Sequence, residues 1–365
     1  MIHSSRIQSI LRSVNELGEP VRVTGAMASS RALLLARALC GEPVSGRPYI
    51  VLCRDDDTAA ELASDVEALA QSVLGQAVRT IHFPAWEQSP YSPIAPSIRT
   101  RLARIAALAE IQSSSSRSEP WLLVTSLAAA NQTTIPLEAL LAATLSLKVD
   151  DSVESREALV RKLTESGYLR VETVEDPGTF AVRGDIVDVF PPDHEVPYRI
   201  ELFGDVIEKI REFEPSSQRT AGADAPVLKS ISLPPAREVL ITPRNAGRVR
   251  EQVKQRADDL GVSRGRRDPI IASIQDGIYP EHSEVWAAFA YETRSTLWEH
   301  LPAEWPIVWD DELSSLQDWD RFLDEQKTLA ADHSTGVIAP AFEELFVSGS
   351  DLDRRLRGST RLYLD

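Results

Sequence analysis

Between Gly178 and Phe213 the chain reads GTFAVRGDIVDVFPPDHEVPYRIELFGDVIEKIREF. Short runs of alternating apolar and polar residues are cut by Gly and Pro. A side-chain period of two suits strands, and Gly or Pro ends them, so the segment is confined to a string of short β-strands. In Phe180-Ala181-Val182-Arg183 that period puts Phe180 and Val182 on one face, and Ala181 and Arg183 on the other. Arg183 is therefore expected in solvent while its neighbours are buried. Asp185 and Asp188, three apart and read as part of one strand, are expected on opposite faces, which argues against a shared acid–base site.

Upstream the texture differs. Strand-like runs at Val21–Thr24, Tyr49–Cys53, Val78–Phe83 and Trp121–Thr125 alternate with Ala/Leu-rich helical stretches near 29–40, 57–74 and 97–113. Asp55, Asp56, Asp57 and Thr58 supply N-cap chemistry for the second helix. Buried-type strands alternating with helices predict an α/β layer on a parallel sheet. Pro84–Pro96 is too proline-rich for a regular ladder and reads as a loop. From about 135 to 230 short β segments surround one helix, Ser155–Ser166, and this reads as an inserted α+β module. Helices near 245–260 and 315–332 with a strand at Trp305–Trp309 then complete the first layer. The expected division is 1–134 and 236–333 for the α/β part, 135–235 for the insert and 334–365 for a linker or tail of little periodicity. Ser113–Ser116 reads as a short loop.

The chain has 365 residues and a net charge of −16. That balance repels a phosphate backbone unless a concentrated basic patch offsets it, which argues against autonomous tight DNA binding. Arg264, Arg266 and Arg267 form a tight basic cluster. It lacks interleaved aromatics and reads as a solvated loop. Two distant cysteines, Cys40 and Cys53, and six scattered histidines offer no metal-ligand spacing. No cofactor and no metal are expected. The first twenty residues are amphipathic without a secretory core, and no apolar run suits a membrane span, so the cytoplasm is expected.

Val21-Arg22-Val23-Thr24-Gly25-Ala26-Met27-Ala28-Ser29-Ser30-Arg31 follows a strand and opens a helix, the context of a phosphate-binding loop. Its chemistry is absent. Such a loop needs a Lys for the terminal phosphates and an adjacent Ser or Thr for Mg²⁺, and here Ala28-Ser29-Ser30 stands in that place. Arg31 is the nearest cation but lies further into the helix, and Leu122–Ser126 carries no acidic Mg²⁺ ligand. The loop built on Gly25, Ser29 and Ser30 thus reads as a degenerate P-loop, with no catalytic residues assigned.

The order F-x-V-R-G-D-I-x-D-x-F-P-P, then Y-R-I-E-L-F-G-D and R-E-F-E-P, resembles the UvrA-binding module shared by the excision-repair helicase UvrB and the transcription-repair coupling factors. Phe83–Glu87, Pro90–Ser92, Arg99-x-Arg101-Leu102 and Leu233–Glu238 are similar to the coupling-factor family as well. UvrB keeps its P-loop and carries a long aromatic DNA-clamping hairpin where this chain has only the Trp86–Ser97 loop. Both departures fit the N-terminal, UvrB-like region of the coupling factors, and the chain is expected to be an N-terminal fragment of one. The resemblance implies a degenerate helicase-like, P-loop NTPase-type α/β fold with an inserted UvrA-binding module. It implies UvrA as partner, with RNA polymerase and DNA bound by other domains of the whole protein, whose motor would be a DNA-dependent ATPase. Residue by residue it carries UvrA binding onto Arg170, Arg183 and Phe190. Each arginine could instead pair with a neighbour such as Glu172, Asp185 or Asp188, and Phe190 could be core. The rival functions are a UvrB-like ATPase or helicase and a DNA-binding module.

Overall fold

The computed structural model describes residues 20–40, 48–114, 120–220, 227–302, 305–347 and 350–365. The amphipathic pattern at residues 1–19 and half of the serine run at 113–116 lie outside them. Up to residue 131 strands and helices alternate: β1 (Val21–Val23), α1 (Ala28–Cys40), β2 (Tyr49–Cys53), α2 (Asp56–Leu69), β3 (Arg79–Phe83), α3 (Ile98–Ser113), β4 (Trp121–Ser126) and α4 (Leu127–Asn131). Next come α5 (Leu137–Ala143), β5 (Leu145–Lys148), α6 (Arg156–Glu165), β6 (Leu169–Arg170), β7 (Thr179–Arg183), β8 (Ile186–Phe190), β9 (Tyr198–Phe203), β10 (Val206–Glu214), β11 (Arg219–Thr220) and β12 (Ser230–Leu233). The last third holds α7 (Ala246–Asp259), α8 (Arg264–Gln275), β13 (Ile307–Asp310), α9 (Glu312–Ala331), α10 (Ser350–Ser359) and β14 (Thr360–Leu364).

The first sheet runs β1-β14-β13-β2-β4-β3, and every pairing is parallel. Helices cover both its faces, so its inner strands are apolar without alternation. Successive residues feed different cores. Ile50, Leu52, Ile81, Phe83 and Leu123 join the side packed by α3, α4, α7 and α9. Tyr49, Val51, Cys53, Leu122 and Val124 join the side packed by α1 and α2. Asp55 caps α2 by accepting a hydrogen bond from Thr58 N at 2.8 Å, as the acidic run predicts.

The second sheet runs β11-β10-β9-β8-β7-β6, antiparallel except for the β6–β7 pair. Its inner face packs Phe180, Val187, Val189, Ile200 and Ile210 against Leu159 and Leu163 of α6 and the β5–β12 ribbon. The chain returning from this sheet is tied to α3. Arg104, fully buried, sends Nε to both Glu238 oxygens at 3.1 and 2.9 Å and Nη1 to the Pro84 carbonyl at 2.7 Å. Its guanidinium stacks 4.3 Å from the Phe83 ring centroid. At Gly178 φ is +78°, and a Cβ there would sit 3.0 Å from Leu102 Cδ2, so glycine serves both turn and close approach.

Three local expectations change. Residues 360–364, read from sequence as tail, form β14, an inner strand with Leu362 and Leu364 buried. The basic cluster read as a loop opens α8 instead. Arg267 pairs with Asp258 at 2.6 Å and Asp268 at 2.9 Å, and Arg266 donates to Thr335 O at 3.4 Å. Asp185 sits in the β7–β8 turn rather than in a strand, 3.9 Å from Arg156 Nη1.

Candidate interaction face of the β-rich sheet

Nucleotide chemistry, in the sequence-based reading, would reside at the Gly25–Arg31 loop. Gly25 turns the chain at φ +76° and donates to Asp365 O at 2.8 Å. Ser30 N and Arg31 N both donate to Met27 O, at 2.7 and 3.0 Å, which is ordinary helix initiation. Arg31 folds back onto the loop. Its Nε donates to Ala26 O at 2.8 Å and its Nη1 to Asp310 Oδ1 at 2.8 Å. Asp310 ends β13 and is 2% exposed. Burial raises its carboxyl above the usual range, opposed by the Arg31 charge. An acidic residue therefore does stand beside the loop, on β13 rather than after β4, and the chain's own cation satisfies it.

Of the residues expected from sequence, Arg183 and Phe190 have the parity of the second sheet's outer face. Period-two alternation and register assign each one. Ala181, Asp188, Arg199 and Arg211 lie in one row across β7, β8, β9 and β10. Arg183, Ile186, Glu201 and Lys209 form the next row. In the first row Arg199 grips buried Asp188 through two bonds of 2.8 Å, and its guanidinium carbon stands 4.7 Å from the Phe213 ring centroid. The Asp188 bond raises the Arg199 pKa. That arginine is neutralised within the sheet.

Arg183 is not. It is exposed, and its Nη2 donates to Glu172 O at 3.0 Å and to Thr173 Oγ1 at 2.9 Å, both neutral acceptors. Of the carboxylates suggested by sequence, Asp188 is taken by Arg199, Asp185 stands near Arg156, and Glu172 contributes only its backbone oxygen. The guanidinium is thus held in place without losing its charge to a carboxylate, and it keeps its capacity for bidentate capture of one.

Arg170 is exposed on the edge strand β6. Its register partner is Phe180, so it takes the inner-face side of the sheet, opposite in parity to Arg183. The structure does not bring the two arginines onto one face. Phe190 has the outer-face parity but is only 5% exposed, packed with Val174, Ala181 and Phe213 and flanked by Val171. Its ring is core to a small second cluster and offers little surface.

Sequence reasoning passed over Phe203, which is 80% exposed. The signal was present. In Tyr198-Arg199-Ile200-Glu201-Leu202-Phe203 the apolar alternation ends with one apolar residue on the polar face, beside Gly204.

An α/β layer thus carries a β-rich sheet with one packed and one arginine-bearing face. Residues 145–238 match the family model of the UvrB interaction domain. Over 357 residues the chain is 31% identical to the transcription-repair-coupling factor of Myxococcus xanthus, covering 94% of this chain and 28% of the relative. Identity to the coupling factor of Escherichia coli is 27%, covering 88% of this chain and 25% of the relative. The UvrABC system protein B of Parasynechococcus marenigrum is 25% identical over 70% of this chain and 37% of its own length. The chain is a homologue of the transcription-repair-coupling factors with a UvrB interaction domain at 145–238. It spans about a quarter of the length of the coupling factors it matches.

Proposed function

We propose that this chain is a non-catalytic unit of a transcription-repair-coupling factor that binds UvrA through the outer face of its β-rich sheet. It does so as UvrB does, and thereby brings nucleotide excision repair to stalled RNA polymerase in the cytoplasm. The observation that carries the reading is Arg183. It lies inside the segment that matches the UvrB interaction domain, on a strand paired on both sides, and is exposed with neutral acceptors only among the described residues. Arginines of this kind are common interface hot spots. Arg170 extends the contact round the β6 edge, and Phe190 supports the face from beneath.

In the same reading the parallel layer is a helicase-like nucleotide-binding fold that no longer hydrolyses ATP, the 135–235 module is an insert in it, and RNA polymerase and DNA are partners of the rest of such a factor. The Arg31–Asp310 pair supports the loss of nucleotide chemistry, since both groups are committed to each other.

Titration calorimetry of the chain against UvrA tests the proposal. Wild type should bind, Arg183→Glu should lose about 2 kcal/mol or more, roughly 30-fold, and Arg170→Ala should lose less. A wild-type chain that ignores UvrA removes the reading. ATP turnover by the chain, or a steeply salt-dependent affinity for duplex DNA, would favour the enzyme or DNA-binding rival.

A further inference from the structure

We infer that the tip of the β9–β10 hairpin, Phe203 with Val206, is the apolar anchor of the same interface; the inference rests on the UvrA reading above. Phe203 and Val206 are cross-strand partners on either side of Gly204 and Asp205, so both project on the outer face. They are 80% and 37% exposed. A lone exposed apolar residue is ordinary on a protein surface, and two features set this pair apart.

First, the tip is held rigidly although it is solvated. Gly204 takes φ +60° in a two-residue turn. The outer edge of β10 is laced to the 150–153 segment: Val153 N donates to Asp205 O at 2.7 Å, Asp150 N to Ile207 O at 2.9 Å, and Ile207 N to Asp151 O at 3.0 Å. Asp150 adopts φ +72° there, a conformation a non-glycine residue rarely takes. An aromatic ring on a fixed backbone loses little freedom on binding.

Second, the tip adjoins the free cation. Phe203 is two residues along β9 from Glu201, which shares a row with Arg183. Two strand spacings across and two residues along separate Phe203 from Arg183 by roughly 12 Å, well within one standard interface of about 800 Å² per partner. Two nearby carboxylates are matched by cations, Glu201 by Arg211 at 3.5 Å and Glu208 by Lys209 at 3.1 Å, while Asp205 lies in the turn itself. The face therefore presents the Arg183 guanidinium beside an apolar knob. The complementary surface on UvrA is an apolar pocket flanked by carboxylate side chains.

The test compares wild type, Arg183→Glu and Phe203→Ser for UvrA binding by calorimetry, with thermal unfolding and light scattering on each. Phe203→Ser should weaken binding about tenfold or more while the melting temperature holds, because the ring packs against little of its own chain. If Arg183→Glu loses affinity and Phe203→Ser binds like wild type, the anchor is refuted and the UvrA reading survives. If wild type does not bind UvrA, both fall. Self-association of wild type that Phe203→Ser abolishes would overturn the inference in favour of a second copy of the chain.

Discussion

Phe190 and Phe203 lie on the same side of one sheet, one under a cluster of side chains and the other in water. Their substitutions should separate accordingly. Phe190→Ala should cost about 3–5 kcal/mol in urea unfolding, the range for emptying a buried aromatic site. Phe190→Leu should cost far less and leave UvrA affinity near wild type, since its ring acts on the face only from below. The outward projection of Arg183 was legible because strand parity is a local property. The fate of Phe190 was not. Consecutive Val189 and Phe190 are both apolar, and only Val171, Val174 and Phe213, brought over from other segments, make the outer face a second small core.

Elements were legible where their periodicity was self-contained. The strands β1 to β4 and the helices between them follow from apolar runs, with the Asp55 cap marking the start of α2. Partners distant in sequence were hidden, as with Arg31 and Asp310, which are 279 residues apart. The helix α8 was concealed by Gly265 near its start and Pro269 inside it, both poor helix formers. At this scale the tie between α3 and the irregular segment that follows β12 can be probed. Arg104→Ala leaves Glu238 buried with its charge uncompensated except by Thr134, and should cost about 3–5 kcal/mol by chemical denaturation. The double substitution Arg104→Met with Glu238→Leu removes both charges and should recover most of that loss. If the double variant is as unstable as Arg104→Ala, the tie does not act through its charges.

For the molecule as a whole, two largely buried histidines contribute to the acid limb of stability. His82 and His300 are both held below the usual imidazole range, mainly by burial. His300 Nε2 donates to Ile135 O at 2.8 Å, and its Nδ1 is buried with no hydrogen-bond partner among the described residues. The unfolded chain binds these protons more readily. Their contribution to stability is therefore complete above about pH 6.5 and is lost as pH falls towards the depressed folded values, by at most about 1.4 kcal/mol per pH unit for each ring. His194, half-exposed and raised by its bond to Asp193, acts weakly in the opposite sense. Urea midpoints measured from pH 8 to pH 5 should fall on the acid side, and His300→Gln should flatten that fall; an unchanged slope would exclude His300 as its source.

The position of β14 has a temporal meaning. The strand β1 has one neighbour in its sheet, β14, and the side chains of Arg22 and Asp365 that meet at this seam are 343 residues apart in the chain. A ribosome that has made β1 must translate the intervening residues 24–359 before its partner exists. The β-rich sheet draws all its strands from residues 169–220 and waits for no distant segment. During synthesis the interaction surface can therefore mature while the layer that carries it is still open, since contacts close in sequence form before those that close long loops.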